Sequence, residues 1–306
     1  MQTQAITPEH LASSVIAVPP LCRDDSLRID AEENARLIRH IEGGGVTTLL
    51  YGGNANLYHI AVSEYAELLD MLEANAAAET LVVPSVGPSY GNIIDQAAIL
   101  KGRGFPAAMI LPAVFPVTEA GVKASVRAFV RESGIPAVLY IKNEGYITPE
   151  GAAELVSDGI ISWIKYAIVR QDPDQDAFLS KLIQLVDPKM IVSGIGEQPA
   201  AAHLLNFGVG GFTSGCVCVQ PALSAQMLIA LKAGDRDRAE SIRAQFCQLE
   251  DLRNAHGPIP VLHHAVAGAG IAATGPHLPL LGPLADPIVA DIGAAALALR
   301  NLPVEA

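Results

Sequence analysis

Short apolar or β-branched runs recur along the chain at 14–18, 46–51, 80–86, 107–111, 137–141, 160–165, 190–193 and 211–214, with starts roughly 20 to 35 residues apart. Most are near-continuously apolar, the pattern of parallel strands covered on both faces. Between them lie stretches with apolar positions at helical spacing, among them 64–77, 120–132, 174–185 and 198–206. Thr148-Pro149-Glu150 opens another, with a hydroxyl N-cap, a proline at the first helical position and an acid in the first turn. Strand–helix alternation repeated eight times predicts a closed α/β barrel, the (β/α)8 TIM barrel, over an open doubly wound sheet. No glycine-rich dinucleotide or phosphate-loop motif follows any strand, which argues against nucleotide binding. After about Gly234 the pattern changes, and 235–251, 259–270 and 287–300 read as three helices separated by Gly/Pro breaks. The expected organisation is a barrel over 1–234 that carries the active site, with a C-terminal helical appendage over 235–306.

Composition sharpens this picture. Of 306 residues, 50% are apolar and 17% charged, which excludes a disordered chain and favours a large core or buried subunit faces. The net charge of −12 leaves no basic footprint for nucleic acid or an anionic membrane. No apolar run reaches the ~20 residues that span a bilayer, and MQTQAITPEH lacks the basic start and apolar stretch of a secretory signal. A soluble, cytoplasmic enzyme is expected. Cys216 and Cys218 would share one face of a strand as a soft metal pair, but no further ligands sit at the right spacing, so both read as core residues. With no HExxH and no carboxylate pair at a strand end, no metal is expected.

Working residues of such barrels sit at the C-terminal ends of strands and in the loops that follow. Lys165 ends the sixth run, after ISWI. A lysine there either pairs with an acid or has its pKa pushed towards neutrality, and a neutral amine can condense with a ketone. Tyr140 ends the preceding strand, within reach of that amine as a proton shuttle. The turn Gly52-Gly53-Asn54-Ala55-Asn56 offers backbone N–H groups and two side-chain amides to a carboxylate, or is a plain tight turn. Gly194 and Thr213, at the ends of the seventh and eighth strands, are further candidates for substrate contact, in loops where many barrels bind phosphate. Lys142, Glu144 and Arg170 lie near the expected mouth. His59 is expected to start the helix after strand two, and His256, His263 and His264 to be structural or exposed.

These residues carry a family resemblance. Over roughly 15–281 the chain resembles the dihydrodipicolinate synthase and N-acetylneuraminate lyase family of class I aldolases, the resemblance being carried by AVLYIKN, IISWIKYA, IVSGIGE, GVGGFTSG and GPIPVLHHAV. The resemblance implies Lys165 as the Schiff-base lysine, Tyr140 as its proton-transfer partner, and YGGNAN in place of the loop that binds the 2-oxo acid carboxylate, through Gly52, Gly53 and Asn54. It implies pyruvate or another 2-oxo acid as substrate, with an aldehyde as a possible second one. No metal or organic cofactor is implied, the imine on Lys165 standing in their place, and a homo-oligomer, dimer or tetramer, is expected.

The departures matter equally. The hydroxyl-bearing pair of the family loop is replaced by Gly53 and Asn54, and the Gly-Glu after it by Ala55 and Asn56. Strand four ends in Ala113-Val114-Phe115 where the synthases carry a second relay tyrosine, and Gly145 stands near the place of their substrate-binding arginine. A lyase acting on a keto-deoxy sugar acid, and not a true dihydrodipicolinate synthase, is the leading expectation, with Asn56 or Lys142 open to take over substrate contacts. Two alternatives stay open: a non-catalytic barrel that binds a 2-oxo acid, and a phosphate-binding barrel enzyme without an imine.

Overall fold

The computed structural model describes residues 1–304. Each apolar run supplies one strand: β1 (Ile16–Ala17), β2 (Thr48–Tyr51), β3 (Leu81–Val86), β4 (Ala108–Ile110), β5 (Ala137–Ile141), β6 (Ile161–Tyr166), β7 (Ile191–Ser193) and β8 (Gly211–Ser214). Neighbours pair in parallel in chain order, and β1 also pairs with β8, closing the barrel. The strands are buried along almost their whole length, as expected where helices cover the outside and side chains fill the inside.

The outer layer is α2 (Ala31–Gly43), α3 (Val62–Asn75), α4 (Tyr90–Leu100), α5 (Glu119–Ser133), α6 (Pro149–Ser157), α7 (Ala177–Leu185), α8 (Ala200–Asn206) and α9 (Pro221–Lys232), preceded by a short α1 (Pro8–Ser13). The expected cap is present: the Thr148 hydroxyl accepts from Gly151 N–H at 3.0 Å. Helix α7 starts later than the spacing suggests because Asp176 caps it, accepting from Leu179 N–H at 2.9 Å.

Two expectations are corrected. His59 does not start a helix. The loop after β2 closes on itself through Leu57 N–H to Gly52 O and His59 N–H to Asn56 O, so α3 begins only at Val62. Cys216 and Cys218 lie on one 3-10 turn, not on a strand, where burial raises both thiol pKa values.

The appendage comprises α10 (Arg236–His256), α11 (Pro258–Gly268) and α12 (Asp286–Arg300). Helices α11 and α12 meet through Gly268 and Gly293, where a Cβ on Gly268 would stand 2.7 Å from the Gly293 Cα. Gly257, at φ 91°, turns the chain between α10 and α11, a conformation that favours glycine. That turn leaves the C-terminal end of α10 at the barrel mouth, where Arg253 Nη2 donates to Ile195 O at 2.6 Å. Among the described residues no helix is long and apolar enough to cross a membrane.

Candidate active site

Strand register creates the site. Tyr140 on β5 lies opposite Lys165 on β6, and Lys165 Nζ stands 4.6 Å from the centre of the Tyr140 ring. Lys165 is only 4% exposed, and no carboxylate joins it in the cavity it faces. Of the two outcomes open to a buried lysine, the structure has the second. Burial, with the positive charges of Lys142 and Arg253 behind it, lowers the pKa from 10.5 to about 7. A large fraction of this amine is therefore uncharged near neutral pH and carries a free lone pair.

The stem of that lysine needs room, and Gly194 leaves it. A Cβ at Gly194 would lie 2.9 Å from Lys165 Cγ and 2.8 Å from Ala167 Cβ. Gly194 N–H also donates to Tyr166 O at 2.6 Å, extending the β6–β7 contact by one step.

Seven of the nine candidate residues share one cavity of about 400 Å³: Gly53, Asn54, Tyr140, Lys142, Lys165, Gly194 and Thr213. Gly52 and Asn56 do not line it. Gly52 packs inside the barrel, where a Cβ would meet Met109 Cε and Ser85 Oγ, both at 2.7 Å. Asn56 turns the loop at φ 54° with its side chain buried, so its amide is not offered to the cavity. The side-chain amide of Asn54 is also committed elsewhere, since Nδ2 donates to Val18 O at 3.0 Å. What this loop presents is backbone: the N–H groups of Gly53 and Asn54 donate to no other described residue.

The loop is clamped from two sides. Besides the Val18 bond, the Asn54 carbonyl lies 3.2 Å from His263 Nε2 on α11. A carbonyl only accepts, so the proton sits on Nε2. Burial, with His277 beside it, pushes the His263 pKa down to about 3, and the ring stays neutral. His263 is thus a structural residue, as expected, although it acts on the loop beside the active site.

Tyr140 Oη makes no hydrogen bond to another described residue, and burial, together with nearby Tyr58, raises its pKa strongly. The phenol is therefore neutral and keeps its proton for transfer. Tyr58 was not legible as a site residue. It belongs to the loop after β2, its ring edge lies 3.6 Å from where a Cβ on Gly53 would sit, and burial lifts its pKa to about 12.

Sequence reasoning also missed Arg253, Asn254 and Pro258, which bring the appendage into the cavity wall. Behind Arg253 lies a buried acid pair. Glu250 Oε1 accepts from Glu197 N–H at 3.0 Å, and the Glu197 carboxylate accepts from Ser214 and Ser224 hydroxyls, each at 2.7 Å. Burial raises both pKa values, and the neighbouring Glu197 charge helps push that of Glu250 to about 8. Glu144 and Arg170 are absent from the wall because they pair with each other at 2.6 Å, with Asp176 on the far side of the guanidinium.

Residues 13–293 match the model of the dihydrodipicolinate synthetase family. The chain is 31% identical over 303 residues to a 4-hydroxy-tetrahydrodipicolinate synthase of Xanthomonas axonopodis pv. citri, covering 92% of this chain and 95% of that one. It is 22% identical to a probable 5-dehydro-4-deoxyglucarate dehydratase of Rhizobium rhizogenes, over 80% and 81% of the two chains. The crystal structure of dihydrodipicolinate synthase from Bacillus clausii superposes with a TM-score of 0.81 at 22% identity, covering 96% of this chain and 99% of that one, and so has the same fold. With the family model spanning nearly all of the barrel and most of the appendage, this chain belongs to the dihydrodipicolinate synthetase family, whose members are class I aldolase-type lyases.

Proposed function

We propose that the protein is a Schiff-base-dependent lyase acting on pyruvate or another 2-oxo acid. The observation that carries this reading is the buried, acid-free environment of Lys165, with a pKa near 7 and the Tyr140 phenol beside it. The amine attacks the keto carbon, giving a carbinolamine. Tyr140 lends its proton to the departing hydroxyl, which leaves as water, and recovers one in the reverse sense. The protonated imine then takes up the electron pair released when a neighbouring C–C bond breaks or when a proton leaves ahead of dehydration. The N–H groups of Gly53 and Asn54 hold the carboxylate. The imine is itself the electron sink, so the scheme calls for no metal or organic cofactor.

The reading extends to a keto-deoxy sugar acid substrate and away from true dihydrodipicolinate synthase activity. A glycine at Gly53, the committed side chain of Asn54 and the exposed Val114 and Phe115 leave Tyr140 without the family's hydroxyl partners. Robust turnover of pyruvate with aspartate semialdehyde in a coupled assay would refute that part. Four free cysteines fit a reducing compartment, the cytoplasm. Val114 and Phe115, 84% and 88% exposed, fit burial against a second copy in a homo-oligomer.

The deciding experiment is intact mass spectrometry after incubation with pyruvate and borohydride. A pyruvate-sized adduct on the wild type, absent in Lys165→Ala, supports the imine. No adduct with pyruvate or longer 2-oxo acids overturns it.

A further inference from the structure

The charged residues of the Lys165 cavity all have one sign. Lys142, Lys165 and Arg253 line it, and no aspartate or glutamate does. In a chain of net charge −12 this is a local arrangement and not a reflection of composition. Strand order fixes where the cations stand. In the closed ring, β2 lies diametrically opposite β6. The loop that carries Gly53 and Asn54 therefore stands across the mouth from Lys165. Lys142 follows β5 and Arg253 is tied to Ile195 after β7, so the two cations flank Lys165 on either side.

Arg253 is held in place. Its Nη2 donates to Ile195 O and to Asn254 Oδ1, at 2.6 and 3.2 Å. Its acid neighbour, Glu250, is 3.5 Å away and is kept largely protonated at neutral pH by burial and by Glu197. The guanidinium faces a cavity larger than a three-carbon acid fills. One held cation, Arg253, and a second at the more exposed mouth, Lys142, stand beside the amine that becomes the imine, and a bound anion would offset their mutual repulsion.

We propose that Arg253 and Lys142 form a second anion subsite, and that the physiological substrate is a 2-oxo acid with a second carboxylate at its distal end. This rests on the Schiff-base reading and refines it. One carboxylate lies on the β2 loop, the keto carbon at Lys165, and the far carboxylate between Lys142 and Arg253, where it meets the charge of both cations.

The test is borohydride trapping at graded concentrations of matched pairs, 2-oxoglutarate against 2-oxopentanoate and 2-oxoadipate against 2-oxohexanoate. The wild type is expected to trap one or both diacids at concentrations at least tenfold below their monoacid partners. In Arg253→Met and in Lys142→Met that ratio should fall towards one. Equal trapping within both pairs by the wild-type protein overturns the proposal, whether or not the variants fold, and leaves the imine reading intact. Absence of any adduct overturns the imine reading instead. In that case calorimetric binding of glutarate to the wild type, lost in Arg253→Met, still supports the subsite, and no binding refutes it. Inorganic phosphate displacing the diacid better than succinate does would refute the assignment to a carboxylate.

Discussion

Replacing Lys165 with methionine should make the protein more stable while abolishing imine formation. Methionine has nearly the volume of lysine and no charge, so it fills the same space beside Gly194 and Tyr140 without an ammonium to desolvate. The amine has a pKa of about 7 in the folded chain against 10.5 ordinarily. Folding therefore disfavours its protonated form. Below pH 7 both folded and unfolded chains carry the proton, and the full penalty applies. Between pH 7 and 10.5 the folded chain has lost the proton while the unfolded one holds it, so the penalty shrinks as pH rises. At about 1.4 kcal/mol per pKa unit, the penalty is about 4 to 5 kcal/mol at pH 6, about 2 at pH 9, and near zero at pH 11. Urea unfolding of wild type and Lys165→Met at pH 6 and pH 9 measures the difference directly. The gain should be larger at pH 6. A variant that is less stable at pH 6, or whose gain is the same at both pH values, would show that Lys165 is not a strained, largely neutral amine, and the nucleophile argument would lose its basis.

Other consequences follow from single contacts. Tyr140→Phe should leave stability nearly unchanged and slow borohydride-trappable imine formation by about 10²-fold or more, read by quenched-flow mass spectrometry. Gly194→Ala puts a methyl within 2.9 Å of Lys165 Cγ, which should cost about 1–3 kcal/mol and reduce trapping by displacing the amine; unaltered trapping at unaltered stability would contradict the crowding. Ser224→Ala leaves Glu197 Oε1 without its hydroxyl donor and should destabilise by about 1–3 kcal/mol in urea titrations. Phe115→Asp should lower the sedimentation-derived mass if this exposed ring is covered by a second copy; an unchanged assembly would place the contact elsewhere.

The barrel was legible because its eight strands are buried on both faces and so read as apolar runs, and because parallel neighbours in chain order need helices between them. Lys165 and Tyr140 were legible for a related reason: a polar residue at the end of an apolar run is conspicuous. Arg253 carries no such mark. It lies in a helix rich in charge, one arginine among several, and only the direction of α10 and the turn at Gly257 bring it to the mouth. The Glu197–Glu250 pair was hidden likewise, its members 53 residues apart and each unexceptional alone. The loop after β2 gave a half-right answer. Its glycines promised free N–H groups, but the Asn54 side chain is tied to Val18 O and the Asn56 side chain is buried away from the cavity, a placement that depends on Val18 and on the backbone turn.

The clamp on that loop has a consequence for how the protein comes into being. By the time Lys232 has left the ribosome, all eight strands and α9 have been made, but not His263, Arg253 or Glu250. A barrel folded at that stage would have the β2 loop held on one side only, and one of the two cations that lower the lysine pKa would still be missing. Its amine should be more fully protonated and its mouth more open. Docking of α10 and α11 then completes the clamp on the loop and adds the Arg253 charge, which should lower the amine pKa further.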